Sequence, residues 1–167
     1  MTIRAAAASD APAIARIYNH YVAETIVSFE EEPVAPGEIA ARIAEVQDAG
    51  LPFLVADSGG TLQGYAYAGK WKARRAYRFS VEVSVYLDRE LCGRGIGSRL
   101  YEALFAELQA RGVHAVIGGI ALPNDESVAL HEKFGMVKTA HFREVGFKFG
   151  RWIDVGYWER VLGQPAV

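Results

Sequence analysis

The sequence predicts an α/β fold: one mixed sheet with helices packed on both faces. Three observations carry that expectation. Stretches with an apolar residue at every second position are interleaved with stretches of three-to-four spacing, the periods of strand and helix. Ser80–Leu87 alternates without a break: Val81, Val83, Val85 and Leu87 share one face, and Ser80, Glu82, Ser84 and Tyr86 the other. A glycine-rich loop follows that strand and opens a long helical pattern. No repeat, low-complexity block or linker interrupts the chain, so residues 1–167 are expected to form a single domain.

The first helix is expected from Ser9-Asp10, either of which suits an N-cap. Pro12 falls in its first turn, and Ile14, Ile17, Tyr18 and Tyr21 form its apolar stripe. A second helix follows Pro36-Gly37, with Ile39, Ile43 and Val46 on one face; Gly50 and Pro52 end it. Phe53-Leu54-Val55-Ala56 predicts a short buried strand, and Ser58-Gly59-Gly60 a hairpin turn into a strand over residues 62–71. The basic, aromatic residues 72–78 predict a loop. Residues 95–111 predict a long helix, from the four-residue spacing of Ile96, Leu100, Leu104 and Leu108, closed by Gly112. Residues 115–120 predict another buried strand, and 124–134 a short helix stopped by Gly135. Two last strands are expected at 138–144 and 152–160, around Gly146 and Gly150.

Eighteen Lys and Arg stand against twenty Asp and Glu. That balance offers no electrostatic attraction to nucleic acid or to a membrane surface. No apolar run approaches the roughly 20 residues of a bilayer span. Cys92 is the sole cysteine, which excludes an intrachain disulfide, and the first ten residues are too short and too polar for an export signal. Together these predict a cytoplasmic protein. His20, His114 and His141 are scattered with no metal-ligand spacing, so no metal is expected.

The loop is Cys92-Gly93-Arg94-Gly95-Ile96-Gly97-Ser98. Amides at a helix start have no internal partners and carry the positive end of the helix dipole, and glycines let a ligand approach them. Such a loop suits a pyrophosphate, with Arg94 adding a positive charge. A P-loop needs Gly-Lys-Ser or Gly-Lys-Thr, which is absent. A dinucleotide fold needs a third glycine where Leu100 stands, and an acid about 20 residues on that is missing. A plain tight turn is the remaining alternative.

With the loop, the chain resembles the GNAT N-acetyltransferase superfamily. That family's phosphate loop has Gln or Arg, two variable residues, Gly, one variable residue, then Gly or Ala. The glycines match, and Cys92 departs at the leading position. The resemblance narrows to the phosphinothricin and methionine sulfoximine acetyltransferase branch on four further blocks. These are Ile17-Tyr18-Asn19, Val81-Glu82-Val83-Ser84-Val85-Tyr86, Leu122-Pro123-Asn124-Asp125-Glu126-Ser127, and Gly146-Phe147-Lys148-Phe149-Gly150-Arg151-Trp152-Ile153-Asp154-Val155-Gly156. Nearly the whole chain is covered. The resemblance implies a mostly antiparallel sheet, and transfer of an acetyl group from acetyl-CoA to the amine of a small amino-acid-like acceptor. Action on peptide or protein amines, and a non-catalytic acyl-CoA sensor, are the alternatives.

An ammonium must lose its proton before it attacks a thioester, and a carboxylate raised by burial can take that proton. The branch places its catalytic Glu at Glu82. The resemblance further implies that Val85, Tyr86 and Leu87 pair by backbone with the cofactor's pantetheine arm. Gly93, Arg94, Gly95, Ile96, Gly97 and Ser98 would hold its pyrophosphate. Asn124 would bond the arm, with an N-cap as its alternative role. His131 falls where many relatives carry a Tyr that protonates the leaving thiolate; a packed histidine is the alternative. Arg75, Ala76 and Tyr77 would join Glu82 in lining the acceptor pocket, with Arg75 gripping a carboxylate and Phe29 and Glu30 at its border. Cys92 has no Cys-His-Asp set around it, so an acetyl-enzyme is not expected. The tail carries Phe147 and Phe149 two apart, with Trp152 and Trp158, more apolar surface than one hairpin is expected to cover. That predicts an interface and a homodimer.

Overall fold

The computed structural model describes residues 1–163. A seven-stranded sheet runs through it in the order β1-β2-β3-β4-β5-β7-β6. The strands are β1 (Thr2–Ala5), β2 (Phe53–Ser58), β3 (Thr61–Lys70), β4 (Ser80–Leu87), β5 (Ala115–Ala121), β6 (Val137–Lys148) and β7 (Arg151–Val161). The helices are α1 (Ala11–Glu24), α2 (Pro36–Asp48), α3 (Ile96–Ala110) and α4 (Asp125–Lys133). All neighbouring strands are antiparallel except β4 and β5.

Helices lie on both faces, as expected. On one, α3 sets Leu100, Leu104 and Leu108, each 0 % exposed, over Val81, Val83 and Val116. Truncating any of these leucines to Ala costs about 2–5 kcal/mol. On the other face α1 and α2 cover Val55 and Tyr65 with Ile14, Ile17, Ile39 and Ile43. The alternation of β4 therefore sends Val81 and Val83 under α3 and Glu82 and Tyr86 toward α1.

Several elements differ from the expectation. β1 is an added edge strand beside β2, too short at four residues to show a period. Asp10 does not cap α1. Its carboxylate accepts from the Arg4 guanidinium at 2.8 Å and from the Ala7 amide at 2.8 Å, and Arg4 holds it below the usual Asp range. Residues Arg75–Tyr77 form a short 3-10 turn inside the expected loop. The last two strands are longer than expected and turn tightly at Phe149-Gly150. Phe149 sits in that turn with φ 53°, so its ring does not follow strand alternation from Phe147. A register shift between Phe142 and Gly146 bends β6, with Glu144 at φ 54° inside it. Trp158 is not surface: it is 2 % exposed and donates to Glu132 Oε1 at 3.2 Å. No described helix is long and apolar enough to cross a membrane.

The feature that positions the site lies at the sheet's centre. β4 and β5 pair only over Ser80–Glu82 and Ala115–Ile117. Past that point β5 continues beside β7, and β4 runs on from Val83 with no described strand on that edge.

Candidate active site

Two concavities meet where β4 and β5 part. A groove of about 500 Å³ runs from the gap along the glycine loop, between α3 and α4. A larger cavity of about 900 Å³ opens on the α1 side. Val27 lines both, and Tyr86, Gly119 and Ala121 line the cavity and the gap.

The groove gathers most of the residues expected to meet a cofactor: Val85, Leu87, Gly93, Gly95, Gly97, Ser98 and Asn124. Gly93 and Gly95 have φ of 76° and 77°, a region costly for any residue with a Cβ. That turn starts α3 with its amides open. The Arg99 amide reaches the Gly95 carbonyl at 3.2 Å, so the amides of Ile96, Gly97 and Ser98 precede the first helical bond. They face a groove lined by the same glycines, which fits a pyrophosphate. Three residues stand apart from the expectation. Arg94 is exposed and off the groove lining, the Ile96 side chain is buried in the α3 core, and Tyr86 lines the larger cavity instead. Asn124 Oδ1 accepts from the Ser127 amide at 3.2 Å, so it caps α4 while lining the groove. Lys133 was missed by sequence reasoning. It lines the groove and donates to Ser98 Oγ at 2.9 Å, a cation brought to the loop by the far end of α4.

His131 takes the packed position that was its alternative role. It is 3 % exposed; its Nδ1 lies 2.7 Å from the Ser127 carbonyl and its Nε2 3.0 Å from the Tyr101 hydroxyl. A carbonyl only accepts, so Nδ1 carries the proton and Nε2 receives Tyr101's. Burial lowers its pKa, and the neutral ring has no free proton to give. Cys92 sits at the glycine-loop end of the groove, its thiol pushed above the ordinary value by burial.

The cavity holds Glu82. Burial raises its pKa and Lys72 partly opposes that; no hydrogen bond contributes to the shift. A Cβ at Gly119 would stand 3.1 Å from Glu82 Oε1 and 3.1 Å from the Tyr157 ring, so bare backbone keeps room in front of the carboxylate. Trp71, Tyr157 and Phe142 wall it with aromatic edges, the rings 5.7 Å apart in each contacting pair. Phe29 and Glu30 border it, as expected. Arg75, Ala76 and Tyr77 do not line it: the 3-10 turn leaves all three exposed, and Lys72 is the cation on the cavity wall. Phe142, Val145 and Tyr157 come from β6 and β7 and were not foreseen; alternation on β7 was the one available signal. Among the described residues no group of three His, Cys, Asp or Glu is placed to hold a metal.

A groove floored by a glycine turn and a cavity holding a buried carboxylate meet at a parted parallel pair of strands. Comparison with known proteins identifies the class. Residues 3–156 match the acetyltransferase (GNAT) domain family. The chain is 43 % identical over 164 residues to a phosphinothricin N-acetyltransferase of Streptomyces viridochromogenes, covering 98 % of this chain and 89 % of the relative. It is 36 % identical to an L-methionine sulfoximine/L-methionine sulfone acetyltransferase of Salmonella typhimurium, covering 99 % and 97 %. A GNAT superfamily phosphinothricin acetyltransferase from Sinorhizobium meliloti, solved with acetyl-CoA, superposes with TM-score 0.94 at 37 % identity, covering 99 % and 92 %. The chain belongs to the GNAT acetyltransferase family and is an acetyl-CoA-dependent N-acetyltransferase.

Proposed function

We propose that this enzyme acetylates the amine of a small amino-acid-like acceptor of the phosphinothricin or methionine sulfoximine type, by direct attack with Glu82 as general base. The observation that carries the reading is the Glu82 carboxylate, raised by burial, facing the larger cavity where it meets the groove. Bound acetyl-CoA supplies the activated thioester. Glu82 takes the ammonium proton, the freed amine forms the N–C bond, and the C–S bond breaks as the thiolate leaves, taking up the proton that the attacking nitrogen sheds to become the amide. The unpaired edge of β4 from Val83 onward offers amides to the pantetheine arm and thioester carbonyl. The amides of Gly97 and Ser98, with Lys133, hold the pyrophosphate end. Cys92 lies at the glycine loop and keeps its thiol proton, which favours direct attack over an acetyl-enzyme. The whole chain, 1–167, acts as one domain in the cytoplasm, where Cys92 stays reduced.

The test is acetyl-CoA with a panel of free amino acids and their sulfones, read by thiol release. Turnover on methionine sulfone, methionine sulfoximine or phosphinothricin supports the reading. Turnover only on an N-terminal peptide points to protein amines, and binding without turnover on any amine points to a sensor.

Lys72, rather than Arg75, is the cavity cation that meets the acceptor carboxylate. Methionine sulfone is expected to exceed its methyl ester in kcat/KM by about tenfold or more, since a charge-assisted bond is worth about 1.5–3 kcal/mol. Lys72→Met should erase that preference and Arg75→Ala should keep it. Equal rates for acid and ester in the wild type remove the carboxylate contact altogether.

The enzyme is a homodimer in this reading. Phe147, Phe149 and Trp152 are more than half exposed on one hairpin, as is Val145, with Phe142 half exposed beside them. A patch of this kind marks an interface, and Phe142 and Val145 also line the cavity, so a partner over the hairpin would close it. Light scattering at micromolar concentration should return twice the chain mass, and Trp152→Ser should lower it. A fully active monomer overturns the assembly.

A further inference from the structure

The acceptor cavity is walled on one side by two segments that belong to different parts of the chain. One is the stretch 27–30 after α1, and the other is the bent part of β6 around Phe142 and Val145. Two contacts tie them together. Lys148, a lysine with only 2 % of its surface exposed, donates from Nζ to the Ser28 carbonyl at 2.6 Å. Burying an ammonium is costly unless it is bonded, and this carbonyl is the bond. Two residues earlier, Gly146 lies under the Phe29 ring so closely that a Cβ there would stand 2.4 Å from Phe29 Cζ and 2.5 Å from Cε2. Ser28 is itself held by the Tyr18 hydroxyl at 2.8 Å, so the clamp reaches α1.

We propose that Gly146 and Lys148 are positioning residues that lock segment 27–30 against the hairpin, and so set the wall that fits the acceptor. Neither touches the reacting atoms. Gly146 admits the Phe29 ring onto the strand, and Lys148 holds the backbone one residue before that ring. The tightness of the wall, and with it the length of acceptor side chain accepted, follows from the clamp. This inference rests on the acceptor cavity assigned above, and its test separates the two.

Lys148→Met keeps length and removes the donor; Gly146→Ala pushes the Phe29 ring toward the cavity. Amide hydrogen exchange of both purified variants reads the clamp without any substrate. Protection across 27–31 should fall about tenfold while β2 to β5 remain as in the wild type. Steady-state kinetics then read the consequence. In each variant the KM for methionine sulfone should rise about tenfold, with the acetyl-CoA KM within about twofold. Gly146→Ala should lose more with long acceptors than with short ones, and adding Phe29→Leu should restore them. Unchanged exchange across 27–31 overturns the clamp. Faster exchange with an unchanged acceptor KM, or equal rises in both KM values, overturns its role in specificity. A wild type inactive on every amine overturns the acceptor reading instead, and exchange alone then judges the clamp.

Discussion

Glu82→Gln is expected to keep acetyl-CoA binding and to lower kcat by about 10²- to 10⁴-fold near neutral pH, the usual worth of a general base. The amide fills the same space in front of Gly119 but cannot take a proton. The pH dependence carries the sharper information. Burial raises the carboxyl above the usual Glu range, and the ionised form is the working one. Activity should therefore rise with pH through the Glu82 ionisation, with its midpoint above the ordinary Glu value, and level off once the carboxylate is formed. The acceptor's own ammonium adds a second rise at higher pH that both enzymes share, so only the lower limb should vanish in the Gln variant. Lys72 opposes the burial, so Lys72→Met should move that limb upward. A Gln variant with wild-type rates from about pH 6 to 9 removes Glu82 from the base role.

Gly97→Val should weaken acetyl-CoA binding by about 100-fold, an effect of about 2.7 kcal/mol, while the fold persists. The Cβ alone would stand 3.3 Å from Leu130 Cδ2 and 3.6 Å from Leu87 Cδ1, and both leucines line the groove. The two further methyls must enter the groove or push its walls, at the turn where free amides meet the pyrophosphate. Gly95 makes the control. A Cβ there meets nothing, but φ is 77°, so Gly95→Ala costs backbone strain of about 1–2 kcal/mol without filling the groove. Calorimetric titration alongside thermal melts separates the two. A folded Gly97→Val with unchanged affinity would place the cofactor's phosphates elsewhere.

What was legible in the sequence followed from local period. The alternation of β4 put Glu82 opposite Val81 and Val83 because successive strand side chains point to opposite faces, and the structure keeps that division. The leucine row of α3 and the glycine turn before it were legible for the same reason: each is a property of consecutive residues. The misses share a cause. Trp152 and Trp158 lie six apart on β7 and share a face, yet one is 63 % exposed and the other 2 %. Alternation assigns a face but not which length of it another element covers. Trp158 lies in the core with α3, and Trp152 stands beyond it beside Phe147. The resemblance put Arg75 at the acceptor pocket, but the 3-10 turn leaves it in solvent while Lys72, in the same basic loop, lines the cavity. His131 stood at a helical position open to either role until Tyr101, 30 residues away, took its second nitrogen.

The sequence by itself determined the α/β class, the two faces of β4, the glycine turn and, through resemblance, an acetyl-CoA-dependent transferase. The tertiary structure alone decided where β4 and β5 part: their pairing stops after Glu82, while β5 stays paired with β7 along its length. It also brought together the cavity wall, whose pieces at 27–30, 71–72, 139–145 and 155–159 are far apart in the chain. Periodicity is written in neighbouring residues, whereas a cavity is written in the distances between segments that become neighbours only on folding.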